Sequence, residues 1–497
     1  MKTGAVGWGL AAVLSRRGVR SAGTEERAQA PTGHPPAATS SRVARNFLAL
    51  GGAEIVGRVV AFAATVYAAR VLGAEAYGVV GFATAVMLYF GHLAAFGLDV
   101  VGVQLVAEDR GRVTTVAPAL LLTRLLFAAG LAVVVGALSL AVLPTPDGMV
   151  TALFALGLVP IAANVRWIHV GLERPSVASA ARVVGEVTAL ALLLLLVRGP
   201  ADVVRVPVAQ VAGATLASAM LLWWLRRWNY RLRFRLALDA VRPVVRRAWP
   251  LTLYGLLGLV LYNADLIVLR VTHGTIASGY YTAAYTLISF LANLGLAYAT
   301  SLLPTLSRLG TADGGRYALY QTASAHVFAA ALPAAVGGYL LAPQIVDVIF
   351  GAPYAPSVPA LRILIWSVPL SVMRDLPFVA LVASAREDRL LRLNATTVAC
   401  SVVLMAALIP RFGLVGAAVA TLCTEVIRLV IAAGFARSEG YRFAGVSRYW
   451  RVVVASLAMA ALLFVLRGAS VWWLVAAGSL SYVVVLALLG GIHIRRR

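Results

Sequence analysis

Lysine is almost missing from this chain. Lys2 is the only one, and the rest of the basic charge is arginine. A phosphate-cradling loop of the GxxxxGK[ST] type depends on its lysine, so ATP-driven transport by such a loop in this chain is excluded. Any energy must come from an ion gradient, the membrane potential or removal of product on the far side. Cysteine is nearly as scarce. Cys400 and Cys423 both lie in apolar stretches, which reads as two buried free thiols and not as a disulfide framework. Charge itself is thin: 13% of residues are charged and 61% are hydrophobic, against about 25% and roughly 45–50% in a soluble domain. The solvent for most of this chain is therefore lipid.

A bilayer core about 30 Å thick needs around 20 apolar residues at helical rise. That window places spans at 47–70, 77–105, 116–142, 150–171, 177–197 and 203–225. After a basic interval come 250–271, 280–306, 321–349, 357–384, 390–410, 413–436, 450–466 and 469–493. These runs far exceed the roughly ten residues of a membrane strand. The expected fold is all-α and polytopic, with about 14 helices. Residues 1–45, rich in Ala, Pro, Ser, Thr and Arg, read as a disordered tail.

The formal net charge of +23 would point to an anionic partner if it formed one patch. Instead the arginines alternate between connections. The tail has Arg42 and Arg45, and later connections have Arg110 and Arg112, Arg174 and Arg182, Arg308 and Arg316, then Arg386, Arg389 and Arg392. Arg437, Arg442, Arg448 and Arg451 follow, and Arg495, Arg496 and Arg497 close the chain. The connections between, such as "LPTPDGMV" (143–150) and "GAPYAPS" (351–357), carry little charge. Short cytoplasmic loops collect Lys and Arg, so both termini are expected in the cytoplasm. The densest stretch, "RRWNYRLRFRLALDAVRPVVRRAW" (226–249), mixes arginine with aromatics. It reads as a cytoplasmic linker, amphipathic and lying on the membrane, with Trp228, Tyr230 and Phe234 at the interface. No nucleic-acid partner is expected.

The chain also echoes itself. "ARVLGAEAYGVVGFATA" (69–85) and "LRVTHGTIASGYYTAA" (269–284) share Arg-Val, a short turn, a Gly/Tyr pair and a small-residue helix. "GATLAS" (213–218) and "VATLCT" (419–424) repeat at nearly the same offset. Internal duplication is common in transporters. Six helices duplicated in parallel give an N-terminal bundle at 46–225, a linker at 226–249, a C-terminal bundle at 250–437 and two added helices at 438–497.

"RNFLALGGAEIVGRVVAFAATVYAARVLGAEAYG" (45–78) followed by "LAAFGLD" (93–99) resembles the opening of polysaccharide-biosynthesis flippases of the multidrug/oligosaccharidyl-lipid/polysaccharide exporter superfamily. "WPLTLYGLLGLVLYNADLIVLR" (249–270), "GYYTAAYTL" (279–287), "LLPTLSRL" (302–309) and "IPRFGLVGAAVAT" (409–421) continue the resemblance. It implies two pseudo-repeated six-helix bundles around a central cavity, and transfer of undecaprenyl-pyrophosphate-linked sugars to the outer leaflet of the inner (plasma) membrane by alternating access. It implies no enzyme activity and no cofactor, with membrane lipids, a coupling H+ or Na+ and cell-surface polysaccharide assembly proteins as partners. Lipid II flippases are a more distant likeness: Arg58 and Arg70 keep a similar arginine spacing, but Ala64 stands between them.

Ionisable residues inside spans are functional candidates by default. Arg58 lies midway along span 1, with Glu54 one turn earlier on the same face. The pair either satisfies itself or leaves Arg58 to hold pyrophosphate through its bidentate guanidinium. Asp265 in span 7, with Asn263 near it, lines a cavity and binds a coupling ion or sugar hydroxyls, or else pairs with Arg270. Arg124, Glu186, Arg374 with Asp375, and Glu425 with Arg428 form a second tier in which self-neutralisation competes with function. Asp99 reads as a cap or gate contact. His92, His273 and His326 show no ligand spacing, and no metal site is expected. Three rivals stay open: a multidrug and toxin cation antiporter, which wants a more acidic cavity; a lipid II flippase; and a membrane glycosyltransferase or polymerase, which wants charged external loops that this chain lacks.

Overall fold

The computed structural model describes residues 37–232, 237–309, 314–384 and 386–490. Side chains are described from Ile55 onward, apart from Asp99, Val100, Leu238, Pro304 and Glu387. The side chains of Glu54, Asp99, Arg42 and Arg45, and all of residues 1–36, Arg233, Phe234, Arg235 and Arg495, Arg496 and Arg497, lie outside the described residues.

Every regular element among the described residues is helical. In chain order they are α1 (Ala37–Ala95), α2 (Leu98–Glu108), α3 (Arg112–Thr115), α4 (Ala117–Val142), α5 (Asp147–Ala155), α6 (Leu158–Ala163) and α7 (Arg166–Gly171). Next are α8 (Pro175–Leu196), α9 (Arg205–Arg227), α10 (Leu238–Ser301), α11 (Leu303–Arg308), α12 (Gly314–Leu340) and α13 (Ala342–Phe350). Last come α14 (Val358–Leu364), α15 (Ser367–Ala383), α16 (Glu387–Ser438), α17 (Val446–Val465) and α18 (Val471–Leu488). By length and composition, ten helices among the described residues can cross a membrane, and an eleventh candidate is the bent pair Ala352–Leu364 and Ser367–Ala383, at 41°. The protein is a multi-pass membrane protein. Residues 37–45, read from the sequence as tail, are helical.

Three of the longest helices are broken at glycine. Gly73 in α1 (φ 73°, ψ 172°), Gly274 in α10 (φ 83°, ψ −173°) and Gly413 in α16 (φ 53°, ψ −127°) take backbone angles that a side chain resists. Each break falls where the arginine pattern shows a charge-poor connection. The connection has shrunk to a single residue, which leaves no loop to carry charge.

Contacts divide the chain into two units. Unit 1 comprises residues 1–68 and 87–255, and unit 2 comprises residues 69–86 and 256–497. In unit 1, α8 packs along α9, α4 along α5 and α6, and α2 along α7. Its core gathers Leu105, Leu120, Trp167, Ile168, Leu221 and Leu225 with Val241, Val244 and Ala248 from the start of α10. Trp228 and Tyr230 pack against that same core, and Arg174 lies over the Trp228 ring at 4.0 Å. Trp228 and Tyr230, expected at the membrane interface, thus also have protein to pack against, and each stays partly exposed.

In unit 2, α15 packs on α16, and α12 packs on both α15 and α17, with α18 beside α17. The segment after Gly73 crosses the segment after Gly274 at very close range. A Cβ on Gly78 would stand 2.0 Å from the Thr275 carbonyl oxygen, one on Gly279 would stand 1.8 Å from that of Ala74, and Gly81 abuts Thr282. Ala74 and Thr275, Gly78 and Gly279, and Gly81 and Thr282 are all separated by the offset, about 200 residues, of the echoed sequences. In lipid, where apolar helices gain nothing by leaving the solvent, such small-residue contact is what holds helices together. The break at Gly73 frees the Ala69 carbonyl, which accepts the Tyr354 hydroxyl at 2.7 Å. Arg70 donates to the carbonyls of Ile349, at 2.7 Å, and Val348, at the end of α13.

Candidate functional site

The ionisable residues found in the apolar spans fall into three groups, one in unit 1 and two in unit 2.

Arg58 is half-buried on α1. Beside it, Gly57 leaves room for α8: the Arg182 Nε lies 3.8 Å from where a Cβ on Gly57 would be. Glu186 follows Arg182 by one turn and lies within its electrostatic reach. Arg182 reads from the sequence only as a loop charge, yet it brings a second guanidinium to the helix that carries Arg58. Arg124 does something else. It is 3% exposed and donates through Nε to the Ala94 carbonyl and through Nη2 to the Ile161 carbonyl, both at 3.3 Å. These carbonyls lie in the last turns of α1 and α6, where intrahelical donors run out; that of Ile161 also accepts the Asn164 N–H at 3.3 Å. Such bonds make Arg124 a clamp on two helix ends.

In unit 2, Asp265 is 2% exposed. Its Oδ2 accepts the Tyr281 hydroxyl and, at 2.8 Å, the Thr421 hydroxyl, and Tyr281 and Thr421 are themselves 3.1 Å apart. Arg270, the alternative partner, instead lies over the Phe82 ring at 5.8 Å. Tyr285 stacks on Tyr281 at 5.8 Å, and Tyr262 meets Tyr285 edge-on at 5.5 Å. Asn263 is also buried. Carboxylate and hydroxyl oxygens suit a proton or a hard cation. Among the described residues no three His, Cys, Asp or Glu side chains gather as a metal cluster.

One turn beyond Thr421 on α16, the two second-tier pairs become a single network. Arg374 Nη2 meets Asp375 at 3.0 Å, Arg374 Nε meets Glu425 at 3.3 Å, and Arg428 Nη1 meets Glu425 at 2.7 Å. All four side chains are less than one-fifth exposed. Two guanidiniums and two carboxylates cancel, which is the condition for keeping charge in a low dielectric. Tyr281 and Thr421 escape sequence reasoning because a hydroxyl in a span is ordinary until a carboxylate is seen to point at it. His92 and His273 are hydrogen-bonded to Thr252 and Thr272.

A family model described as polysaccharide biosynthesis protein matches residues 43–310, more than half of the chain. The chain belongs to that family. The probable flippase AglR of Haloferax volcanii is 29% identical to it over 211 residues, 41% of this chain and 43% of that protein. The chain thus spans less than half the length of that relative. Among solved structures, this family member is similar to the lipid II flippase MurJ in an inward closed conformation, with TM-score 0.74 and 13% identity, over 90% of this chain and 98% of that one. It is similar also to an inward-facing multidrug resistance MATE family transporter of the MOP superfamily, with TM-score 0.60 and 16% identity, over 77% of this chain and 95% of that one. At such identities the likeness is one of fold.

Proposed function

We propose that this protein is a flippase that carries a polyprenyl-pyrophosphate-linked oligosaccharide from the cytoplasmic to the outer leaflet, for cell-surface polysaccharide synthesis. The observation that carries the reading is the family match over residues 43–310 in a chain built of membrane-spanning helices; the relative named as a probable flippase agrees with it. Fourteen spans follow if the ten candidates are joined by the bent pair and each of the three glycine-broken helices counts twice. Both termini and the basic connections are then cytoplasmic. The matched glycine breaks and the equivalent-to-equivalent crossing support a duplicated core.

Transfer breaks no bond. The work is to shelter a pyrophosphate and its sugar from hydrocarbon, then release them. Arg58, with Arg182 near it, supplies the phosphate contact: guanidinium fits phosphate oxygens in a fork and keeps its charge in any surroundings. Asp265 is the residue for a coupling H+ or Na+, since it holds hydroxyl partners and no guanidinium among its hydrogen bonds. Alternating access exposes the substrate to one side at a time.

The test is leaflet transfer of a labelled polyprenyl-pyrophosphate sugar in vesicles holding equal amounts of folded protein. Arg58→Ala is expected to slow transfer at least about tenfold, as loss of one charge-assisted phosphate contact implies. Unchanged transfer sinks the role of Arg58. Transport of an organic cation with no transfer of the lipid-linked sugar would select the antiporter reading.

A further inference from the structure

The geometry points to a docking site for the headgroup of an anionic phospholipid on the first turns of α10. This goes beyond transport and rests on the flippase reading only for the cytoplasmic placement of this helix end. Val241, Val244 and Ala248 are 4%, 8% and 1% exposed and sit in the core of unit 1, which sets the way the helix faces. Arg242 and Arg246, one turn apart, therefore point away from that core together, and Trp249 follows on the same side, half-exposed. With Val245 these three line an open cavity of about 560 Å³.

Two features separate this cluster from ordinary surface arginines. The apolar residues behind it are locked in a core, so the two arginines leave the helix one turn apart on a fixed face. They also have no carboxylate or carbonyl holding them among the described residues, whereas the adjacent Arg247 is bonded to Gln104 at 2.8 Å. Asp239 is the one carboxylate in these turns, a turn before Arg242 and exposed. The nearby end of α9 adds Arg226 and Arg227, both exposed, and Trp223, 55% exposed. Its residues Leu221 and Leu225 share the core that holds Val241.

Guanidinium pairs match phosphate oxygens, and indole rings settle where hydrocarbon meets water. A phosphodiester with its acyl chains satisfies both at once. The lipid is taken as bulk anionic phospholipid and not as the sugar-bearing substrate, because the cavity is open-sided. Among the described residues its lining has no side-chain amide or second aromatic face to read a sugar.

The experiment is native mass spectrometry of the intact protein released from nanodiscs of phosphatidylglycerol and phosphatidylcholine in equal parts, with thermal unfolding followed alongside. Wild type is expected to retain phosphatidylglycerol selectively and to unfold at higher temperature as that lipid is added. Arg242→Gln/Arg246→Gln should bind it about thirtyfold more weakly, the loss expected for two surface arginines, while Arg226→Gln/Arg227→Gln keeps most of the binding. Equal retention of both lipids by wild type overturns the site, and so does unaltered binding by the Arg242/Arg246 variant. Selective retention of an added polyprenyl-pyrophosphate lipid in place of phosphatidylglycerol would assign the cluster to the substrate and overturn the proposal. Lipid binding is read without transport, so a failed flippase assay leaves this result standing on its own.

Discussion

Alanine at Gly279 should open the tightest helix crossing in unit 2. The added Cβ would stand 1.8 Å from the Ala74 carbonyl oxygen. The obstacle is backbone, so it cannot swing aside like a side chain. Reaching an ordinary contact means moving the segments after Gly73 and Gly274 apart by at least about 1 Å, and overpacking of this kind costs roughly 1–3 kcal/mol, with a backbone obstacle at the upper end. Alanine returns up to about 1 kcal/mol of helix propensity. The balance is a destabilisation near 2 kcal/mol. Gly78→Ala meets the Thr275 carbonyl at 2.0 Å and should behave alike. The two effects should fall short of additive in the double variant, because one separation relieves both clashes. Gly258 is the control: nothing stands within 4 Å of its Cβ position, and alanine there should be neutral or stabilising by up to about 1 kcal/mol. Thermal unfolding in detergent at one scan rate is the assay. The Gly279 and Gly78 variants should unfold roughly 2–3 °C below the Gly258 variant, since the shift per kcal/mol shrinks as the chain lengthens. Coincident unfolding curves for all three would refute the close crossing.

The other expectations concern charge. Replacing Arg124 by Met keeps its length but strips a donor from each of the Ala94 and Ile161 carbonyls; Ile161 keeps the Asn164 N–H, so a loss of about 1–3 kcal/mol is expected, chiefly from the Ala94 acceptor, and a wild-type unfolding temperature would show that the clamp is unimportant. Glu425→Gln leaves Arg374 and Arg428 facing each other across a weakened partner and should cost about 3–5 kcal/mol. Adding Arg428→Gln should recover part of that in a double-mutant cycle, and a zero coupling energy would disprove the network. Asp265→Asn keeps an acceptor for Tyr281 and Thr421 and should preserve folding while abolishing the dependence of transport on an ion gradient. Persistence of that dependence in the variant removes Asp265 from coupling.

The membrane class, the all-helical fold and the family were legible in the sequence, since each rests on local properties. Twenty apolar residues specify a span wherever they stand, and "AEIVGRVVAF" or "NADLIVLR" announces an ionisable residue in lipid without reference to any partner. The partners were not legible. Arg374 with Asp375 and Glu425 with Arg428 look like two neighbouring pairs along the chain, and only the packing of α15 on α16 makes them one network. Arg124 reads from the sequence as a second-tier candidate, between function and self-neutralisation, and only the packing brings the carbonyls at the ends of α1 and α6 to it. Arg182, counted as a loop charge, lies along α1 beside Gly57.

The same division runs through the basic stretch at 226–249. Its arginine content, and so its attraction to anionic surfaces, belongs to the sequence, because charge does not depend on conformation. Which of its faces is free belongs to the tertiary structure. Val241, Val244 and Ala248 are taken into the core of unit 1, with Trp228 and Tyr230 packed against it, and that burial turns Arg242, Arg246 and Trp249 outward as a group. An apolar pattern says that one side of a helix will leave water. It takes the neighbouring helices to decide whether that side meets lipid or protein.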